Sequence, residues 1–184
     1  MEPTPSPPPI IGARNLRDYN IIRLFKAPED CVDQVVEDLL LIDLSNNSEP
    51  IQILINCNGG CTSAAFSIID VINYIRPRNQ IITVGIGDIC SAGLDIFLAG
   101  DVRKLTRRAS ILSHHFIWGN TGMSYPELLA RRKEEDLLAE RCIDWYMERT
   151  GLSREDVMKF LLKDHDAWLS AEEALRLNIA TEIL

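Results

Sequence analysis

The stretch VGIGDICSAGLDIF, Val84–Phe97, reads as a strand, a tight glycine turn and then a helix that opens on Ser91. A serine at that junction has two uses. Its hydroxyl can cap the helix by accepting a hydrogen bond from an orphan amide. It can also serve as a nucleophile held on a sharp turn, where backbone amides at the helix start would stabilise a developing oxyanion. The segment GDICSAG does not fit the G-x-S-x-G pattern of the α/β-hydrolase nucleophile turn. A serine nucleophile needs a base, and the chain has three histidines: His114, His115 and His165. His114 and His115 are adjacent in a strand-like segment, so they point to opposite faces and one can face the active edge of a sheet. The base in turn needs an orienting carboxylate, and DHDAW offers Asp164 and Asp166. Each residue also has an ordinary structural role, as a helix cap, a hydrogen-bonded histidine or a solvated loop acid.

The elements that would position these groups follow from hydrophobic spacing. YNIIRLF, Tyr19–Phe25, reads as a short strand, and Pro28-Glu29-Asp30 opens a helix with acids in its first turn. Val32, Val35, Val36, Leu39 and Leu40 give that helix one apolar face. Ile51–Asn56 and Gln80–Ile86 lack strict alternation, which suits strands buried on both faces. Between them, Ala65, Ile68, Ile69, Ile72 and Ile75 recur at helical spacing until Arg76-Pro77 stops the helix. A helix from Ser91 to about Ala99 follows, then the strand-like segments VRKLT and SILSHHF. The order strand–helix–strand–helix–strand–helix predicts an α/β fold with a mainly parallel sheet. Sites in such sheets lie beyond the carboxyl ends of strands, where the turns NGG and GIG are expected. Ser124–Glu127 is a capping box that starts a long helix to about Arg149, polar all round at RRKEED, of the kind that projects and packs on another subunit. TGLSRED turns into a further helix, and Ser170–Glu173 is a second capping box before the closing strand ATEIL.

Composition narrows the function classes. The chain has 184 residues and a formal net charge of −8, so phosphate backbones would repel it and no nucleic-acid partner is expected. No apolar run reaches a membrane span, so no membrane partner is expected either. Residues 1–18 read as a flexible proline-rich tail without the basic and apolar regions of a secretory signal, and 19–184 as one domain. The five cysteines, Cys31, Cys57, Cys61, Cys90 and Cys142, are odd in number and lack zinc-site spacing. They read as reduced thiols in a cytoplasmic protein. Cys57 and Cys61 have nothing nearby to complete a metal site, and no cofactor or metal is expected.

Taken together, these segments resemble the ClpP peptidase family, the proteolytic subunit of the Clp protease, from about Ile51 to the C-terminus. ILINCNGGCTSAAFSIIDVINYIRP is similar to the family's INSPGG turn, its following helix and the closing I-[RK]-P. GIGDICSAG resembles the family's serine turn, SILSHHFIWG its MIHQP strand, and DAWLSAEEALRLNIATEIL its C-terminal segment. The resemblance implies the ClpP/crotonase-like fold, with a parallel sheet, flanking helices and a protruding handle over about 116–149. It implies a serine endopeptidase that cleaves peptides and unfolded proteins inside a ring-shaped chamber. Ser91 would be the nucleophile, His114 the general base and Asp166 the residue that orients the imidazole. The amides of Gly60 and Ala92 would form the oxyanion hole, and Gly59, Ile117, Trp118 and Gly119 would bind substrate. A peptide would pair as an added strand with the handle strand Phe116–Gly122. The implied assembly is a heptameric ring stacked face to face into a tetradecamer, homo-oligomeric or a hetero-ring with ClpP paralogues.

The chain departs from the family at several positions. Cys90 replaces the alanine before the serine, and Asp95 stands one helical turn after Ser91 where the family is apolar. A carboxylate buried there without a partner would be costly. INCNGG lacks the usual proline. The N-terminal region RNLRDYNIIRLF departs most, at the place where the resemblance would imply docking of an AAA+ unfoldase and gating of the pore. Two other readings stand beside the peptidase. One is a catalytically silent ClpP-like subunit that assembles with and modulates active paralogues. The other is a crotonase acting on acyl-CoA thioesters, which would not need the serine, histidine and aspartate together.

Overall fold

Parallel pairing of isoleucine-rich strands builds the centre of the molecule. The computed structural model describes residues 15–45, 49–116 and 122–184. Strands β1 (Ile21–Leu24), β2 (Ile51–Cys57), β3 (Ile81–Cys90), β4 (Val102–Leu105) and β7 (Glu182–Ile183) lie in the order β1-β2-β3-β4-β7, all parallel. Ile53, Ile55, Ile81 and Ile89 are fully buried. β-Branched side chains suit such strands, because they pack well on a pleated surface covered by helices. Helices α1 (Val32–Leu44) and α2 (Thr62–Ile75) are the crossovers, and α2 buries Ala65, Ile68, Ile69, Ile72 and Ile75, the stripe its spacing predicts. The fold is α/β with a mainly parallel sheet, as expected. Where a tail through residue 18 is expected, Leu16–Tyr19 already form a 3-10 turn capped by Asn15 and Asp18. Residues 1–14 lie outside the described residues.

The central strand differs from the expectation in a way that matters for the site. GIG does not end it. β3 continues to Cys90, and Gly87 takes φ +73 inside it, a conformation that glycine adopts without steric cost. The strand then changes partner: Ile82–Gly85 pair with β4, whereas Asp88–Cys90 pair with β5 (Ser110–Ser113). The pairing of β2 with β3 shifts register over the same stretch, from Ile55 opposite Gly85 to Cys57 opposite Ile89. β5 also pairs, antiparallel, with β6 (Ala167–Ser170), a strand that the sequence does not announce. Helix α6 (Ala171–Arg176) follows it directly, opened by the expected Ser170–Glu173 capping box.

Helix α3 (Ala92–Phe97) begins at the serine and is only six residues long. Its carboxyl end is held by three arginines. Arg149 donates to the carbonyls of Leu98 and Gly100, Arg76 to that of Ala99, and Arg103 to that of Gly100. Cations there answer both the orphan carbonyls and the negative end of the helix dipole. Arg103 is only 5% exposed and ties β4 to the C-terminal segment as well, donating to the carbonyls of Ile179 and Asn178 at 2.8 Å each. Burial and the neighbouring Arg149 push its guanidinium down to about 10. Arg103→Met is expected to cost about 2–4 kcal/mol, since it strands several buried carbonyls. Arg103→Lys should recover little of this, because an ammonium cannot reproduce the planar fork. Urea unfolding midpoints read both effects.

Helix α4 (Tyr125–Thr150) has 26 residues and spans roughly 39 Å at the α-helical rise. Its Ser124–Glu127 capping box forms as expected, with the Ser124 N–H donating to Glu127 at 2.7 Å, and Gly151 ends it at φ 75. The second half buries Leu138, Cys142, Ile143, Trp145 and Tyr146, while Tyr125, Leu128, Leu129 and Leu137 in the first half stay exposed. Helix α5 (Arg154–Phe160) then returns the chain to β6. Among the described residues no helix is long and apolar enough to cross a membrane.

Candidate active site

Ser91 stands where β3 meets α3. It takes φ 52 and ψ −124, one of three non-glycine residues among those described with positive φ. Such a conformation costs about 1–3 kcal/mol and is retained only when the surroundings impose it. The imposing contacts are visible. Its N–H donates to the Leu112 carbonyl of β5 at 2.8 Å, and its own carbonyl accepts from Leu94 and Asp95 at the start of α3. Its hydroxyl makes no capping hydrogen bond. The side chain at the helix start is therefore not spent on capping, which was one of the two uses its position offered.

The turn after β2 closes over the serine. Gly59 has φ +97, and a Cβ there would stand 2.8 Å from the Ser91 Cβ, closer than side chains pack. Only glycine lets the two backbones approach so closely. Gly60 follows, next to the Glu29 carboxylate, which accepts from the Cys61 N–H at 2.6 Å. Neither the Gly60 nor the Ala92 N–H donates to an acceptor among the described residues.

Strand register places the other two expected residues. Cys90 pairs with Leu112, and Ser113 pairs with Ala167 across the antiparallel ladder. One residue beyond these strand ends come Ser91 after β3 and His114 after β5, while Asp166 immediately precedes β6. The three residues thus sit at the adjacent ends of three neighbouring strands. Ser91 and His114 line one pocket, together with Thr62, Asp95, Phe116, Cys142, Ile143 and Tyr146. Asp166 is exposed, and among the described residues no hydrogen bond joins Ser91, His114 and Asp166. The other candidates lie apart: the exposed His165 pairs with Asp164 at 2.8 Å.

Three expectations need correction or fall outside the structure. His114 and His115 do not alternate along a strand, because β5 ends at Ser113. Both line the same pocket, His114 half-buried and His115 exposed. Ile117, Trp118 and Gly119 lie outside the described residues, as does most of the segment Phe116–Gly122. Tyr146, Cys142 and Ile143, which form one wall of the pocket, escape sequence reasoning because they come from α4, far along the chain.

Burial dominates the electrostatics beside the serine. It pushes the Cys90 thiol up to about 11 and the Cys142 thiol up to about 12, so both stay protonated and unreactive near neutral pH. Cys90 therefore does not compete with Ser91 as a nucleophile. Asp95 is 4% exposed, and desolvation pushes its carboxyl up to about 7, against a smaller opposing effect of the Tyr146 hydroxyl, which donates to it. Among the described residues no three His, Cys, Asp or Glu side chains gather as metal ligands.

These features define a ClpP-type fold with a serine held on a strained turn at the edge of a parallel sheet. A ClpP1 point mutant from Listeria monocytogenes matches with a TM-score of 0.79 and 30% identity, over 92% of this chain and 93% of that one. The Clp protease family model matches residues 12–184, and the chain belongs to that family. The ATP-dependent Clp protease proteolytic subunit of Deinococcus radiodurans is 29% identical over 176 residues, covering 95% of this chain and 84% of its own length. The proteolytic subunit 1 of Chlamydia muridarum is 30% identical over 176 residues, covering 95% and 91%. At this distance the chain is a divergent member, and its relatives give no support to the acyl-CoA reading.

Proposed function

We propose that this chain is a serine endopeptidase of the ClpP type, acting on peptides and unfolded proteins. The observation that carries the reading is the strand register, which sets Ser91, His114 and Asp166 at the adjacent ends of β3, β5 and β6. In this reading the Ser91 hydroxyl attacks the scissile carbonyl while His114 takes its proton. The tetrahedral oxyanion is held by the unengaged amides of Gly60 and Ala92. His114 then gives the proton to the leaving amine, which departs and leaves an acyl group on Ser91. A water molecule, deprotonated by His114, hydrolyses that ester. Asp166 orients the imidazole and stabilises its charged form. The substrate runs as an added strand along Gly59 and residues 116–122, including Ile117, Trp118 and Gly119, so that main-chain pairing supplies affinity with little sequence preference.

The same reading assigns a chamber built from two stacked heptameric rings, of one chain type or mixed with paralogues, in the cytoplasm. Tyr125, Leu128 and Leu129, exposed on α4, support burial of the handle against another subunit. An AAA+ unfoldase as feeding partner belongs to the family pattern, while the divergent N-terminal region argues for altered docking. A silent, modulating subunit is the second reading. It is favoured by the absence, among the described residues, of hydrogen bonds joining the three residues, and by the carboxylate of Asp95 beside the serine.

Fluorophosphonate labelling tests the choice. Stoichiometric modification of Ser91, identified by peptide mass spectrometry and lost in Ser91→Ala and His114→Ala, is the expected result. An assembled ring that takes no label, alone or mixed with an active paralogue, would overturn the peptidase reading and favour the silent one.

A further inference from the structure

The pocket next to Ser91 sets apolar walls beside the hydroxyls of Thr62 and Tyr146 and the imidazoles of His114 and His115, and it holds one acid that has no evident structural reason to be there. Its walls include Phe116, Ala139, Cys142, Ile143 and Leu162, and its one acid is Asp95, which lies four residues after the serine on α3. Asp95 is 96% buried by the complement of its 4% exposure. The Tyr146 hydroxyl donates to its carboxylate, but Oδ1 has no partner and no contact with solvent. A buried oxygen in that state forfeits its hydration without compensation. The Asp95 backbone is fixed, since its N–H donates to Ser91 and its carbonyl accepts from the Trp145 indole at 3.0 Å, so the side chain cannot easily leave. No lysine or arginine lines the pocket among the described residues.

We propose that Asp95 is a specificity residue, and that the pocket takes a substrate side chain ending in a cation, lysine first, on the acyl side of the bond that Ser91 cleaves. The inference rests on the peptidase reading for its reaction and on the geometry around Asp95 for its selectivity. The alkyl stem of a lysine would lie against Ile143, Phe116 and Leu162, as long cationic side chains do on apolar walls. Its ammonium would supply the donor that Oδ1 lacks. An apolar side chain of the same length would bury the carboxylate further and leave it unpaired. Sites built around a buried polar group reject an analogue that lacks its partner more strongly than an apolar pocket rejects a wrong shape.

Titration of Asp95 sharpens the inference. The titratable groups facing it are Tyr146 and Cys142 on α4 and His114 and His115 beyond β5. Burial holds both the Cys142 thiol and the Tyr146 hydroxyl protonated near neutral pH. The carboxyl of Asp95, pushed up to about 7, therefore ionises across neutrality. The substrate ammonium, with an ordinary value of about 10.4, stays charged throughout. Preference for lysine should rise with pH through neutrality. His114 and His115 line the same pocket, so the Asp95 variants, which keep both imidazoles, are the reference for the ratio.

The experiment compares two fluorogenic peptides that differ only in lysine or norleucine before the scissile bond, with the assembled protein, from about pH 6 to about pH 8.5. The expected result is a kcat/KM ratio of at least about tenfold in favour of lysine at the alkaline end, shrinking at the acid end. Asp95→Asn and Asp95→Leu should each remove the pH dependence, and Asp95→Leu should reverse the preference. Binding of the product peptides ending in lysine or norleucine, followed by isothermal titration calorimetry, gives a readout that needs no turnover. Selective binding of the lysine peptide without hydrolysis would sink the peptidase reading and keep the pocket. Equal binding, or a norleucine preference unchanged in Asp95→Leu, would overturn the pocket assignment whether or not Ser91 is active.

Discussion

Ser91→Ala and His114→Ala are each expected to lower kcat/KM for a short fluorogenic peptide by about 10⁴-fold or more. In the proposed mechanism the two residues act on the same proton, so the double variant should be little worse than either single one. Asp166→Asn is expected to fall less far, by about 10²–10⁴-fold. Asparagine keeps a carbonyl oxygen just beyond the β5–β6 ladder but not the charge that would stabilise an imidazolium. None of the three changes should disturb folding much. Ser91 and His114 are half-buried, Asp166 is exposed, and none has a side-chain hydrogen bond to another described residue. Thermal unfolding should therefore match the parent within about 1 kcal/mol. Hydrolysis retained in Ser91→Ala, with protein free of any host peptidase, would remove Ser91 from the mechanism. A parent that hydrolyses nothing while forming rings would leave the register intact as architecture and point to the modulating role.

How much of this was open to inspection in the sequence depends on whether a feature is local. The apolar stripe of α2, the isoleucine runs of β2 and β3, and the capping boxes at Ser124 and Ser170 are set by neighbours a few residues away, and all five form, with only the end of β3 misplaced. The parallel sheet follows from their alternation. Features that depend on distant partners are another matter. β6 is four residues long and becomes a strand only because β5 offers it an edge. The end of β3 at Cys90, not Ile86, depends on β5 taking over the pairing where β4 stops. Glycines that look like a turn in GIG are instead the hinge of that exchange. Arg76, Arg103 and Arg149 are far apart in the chain, yet they converge on the carbonyls of Leu98, Ala99 and Gly100 just past α3, which no local pattern signals.

The candidate site divides the same way. Ser91 and its helix start are adjacent in sequence and legible there, whereas the strain falls on Ser91 itself and not on the glycines where a turn is expected. The relation of His114 to Asp166 is a matter of register, which no local pattern specifies until Ser113 is known to face Ala167. Asp95 stands out in the sequence as a polar residue in an apolar place. Its surroundings come from α4, so neither Tyr146 nor the unpartnered Oδ1 has a sequence signal. The exposed His115 lines the same pocket as His114, beyond the end of β5 at Ser113, which the sequence does not mark.

The second large effect concerns stability, and its sign follows from Asp95 being buried. An unfolded aspartate ionises near its ordinary 3.8, while the folded one is pushed up to about 7 by desolvation. Between those two values the unfolded chain releases a proton that the folded one keeps. Folding is thus least penalised below the unfolded value, and stability declines as pH rises until the folded carboxyl also ionises. Above about pH 7 the penalty is constant at about 4 kcal/mol, an order-of-magnitude figure for a shift of this size. Asp95→Leu should relieve most of it, because an apolar residue of similar bulk suits the walls formed by Cys142 and Ile143. The variant is expected to gain about 2–4 kcal/mol over the parent at pH 8, or roughly 5–15 °C in Tm, with the advantage shrinking toward pH 4. Asp95→Asn should gain less, since its amide still lacks a partner beyond Tyr146. The pH dependence is what separates this account from simple repacking: a gain of equal size at pH 4 and pH 8 would mean that the carboxylate carries no charge penalty in the fold. A site that keeps a residue at such cost to its own stability is under demand from something other than folding. The lysine-selective pocket beside Ser91 is the demand that its geometry fits, and a parent protein whose Tm rises selectively with a lysine-ending product peptide at pH 8 would join the two arguments.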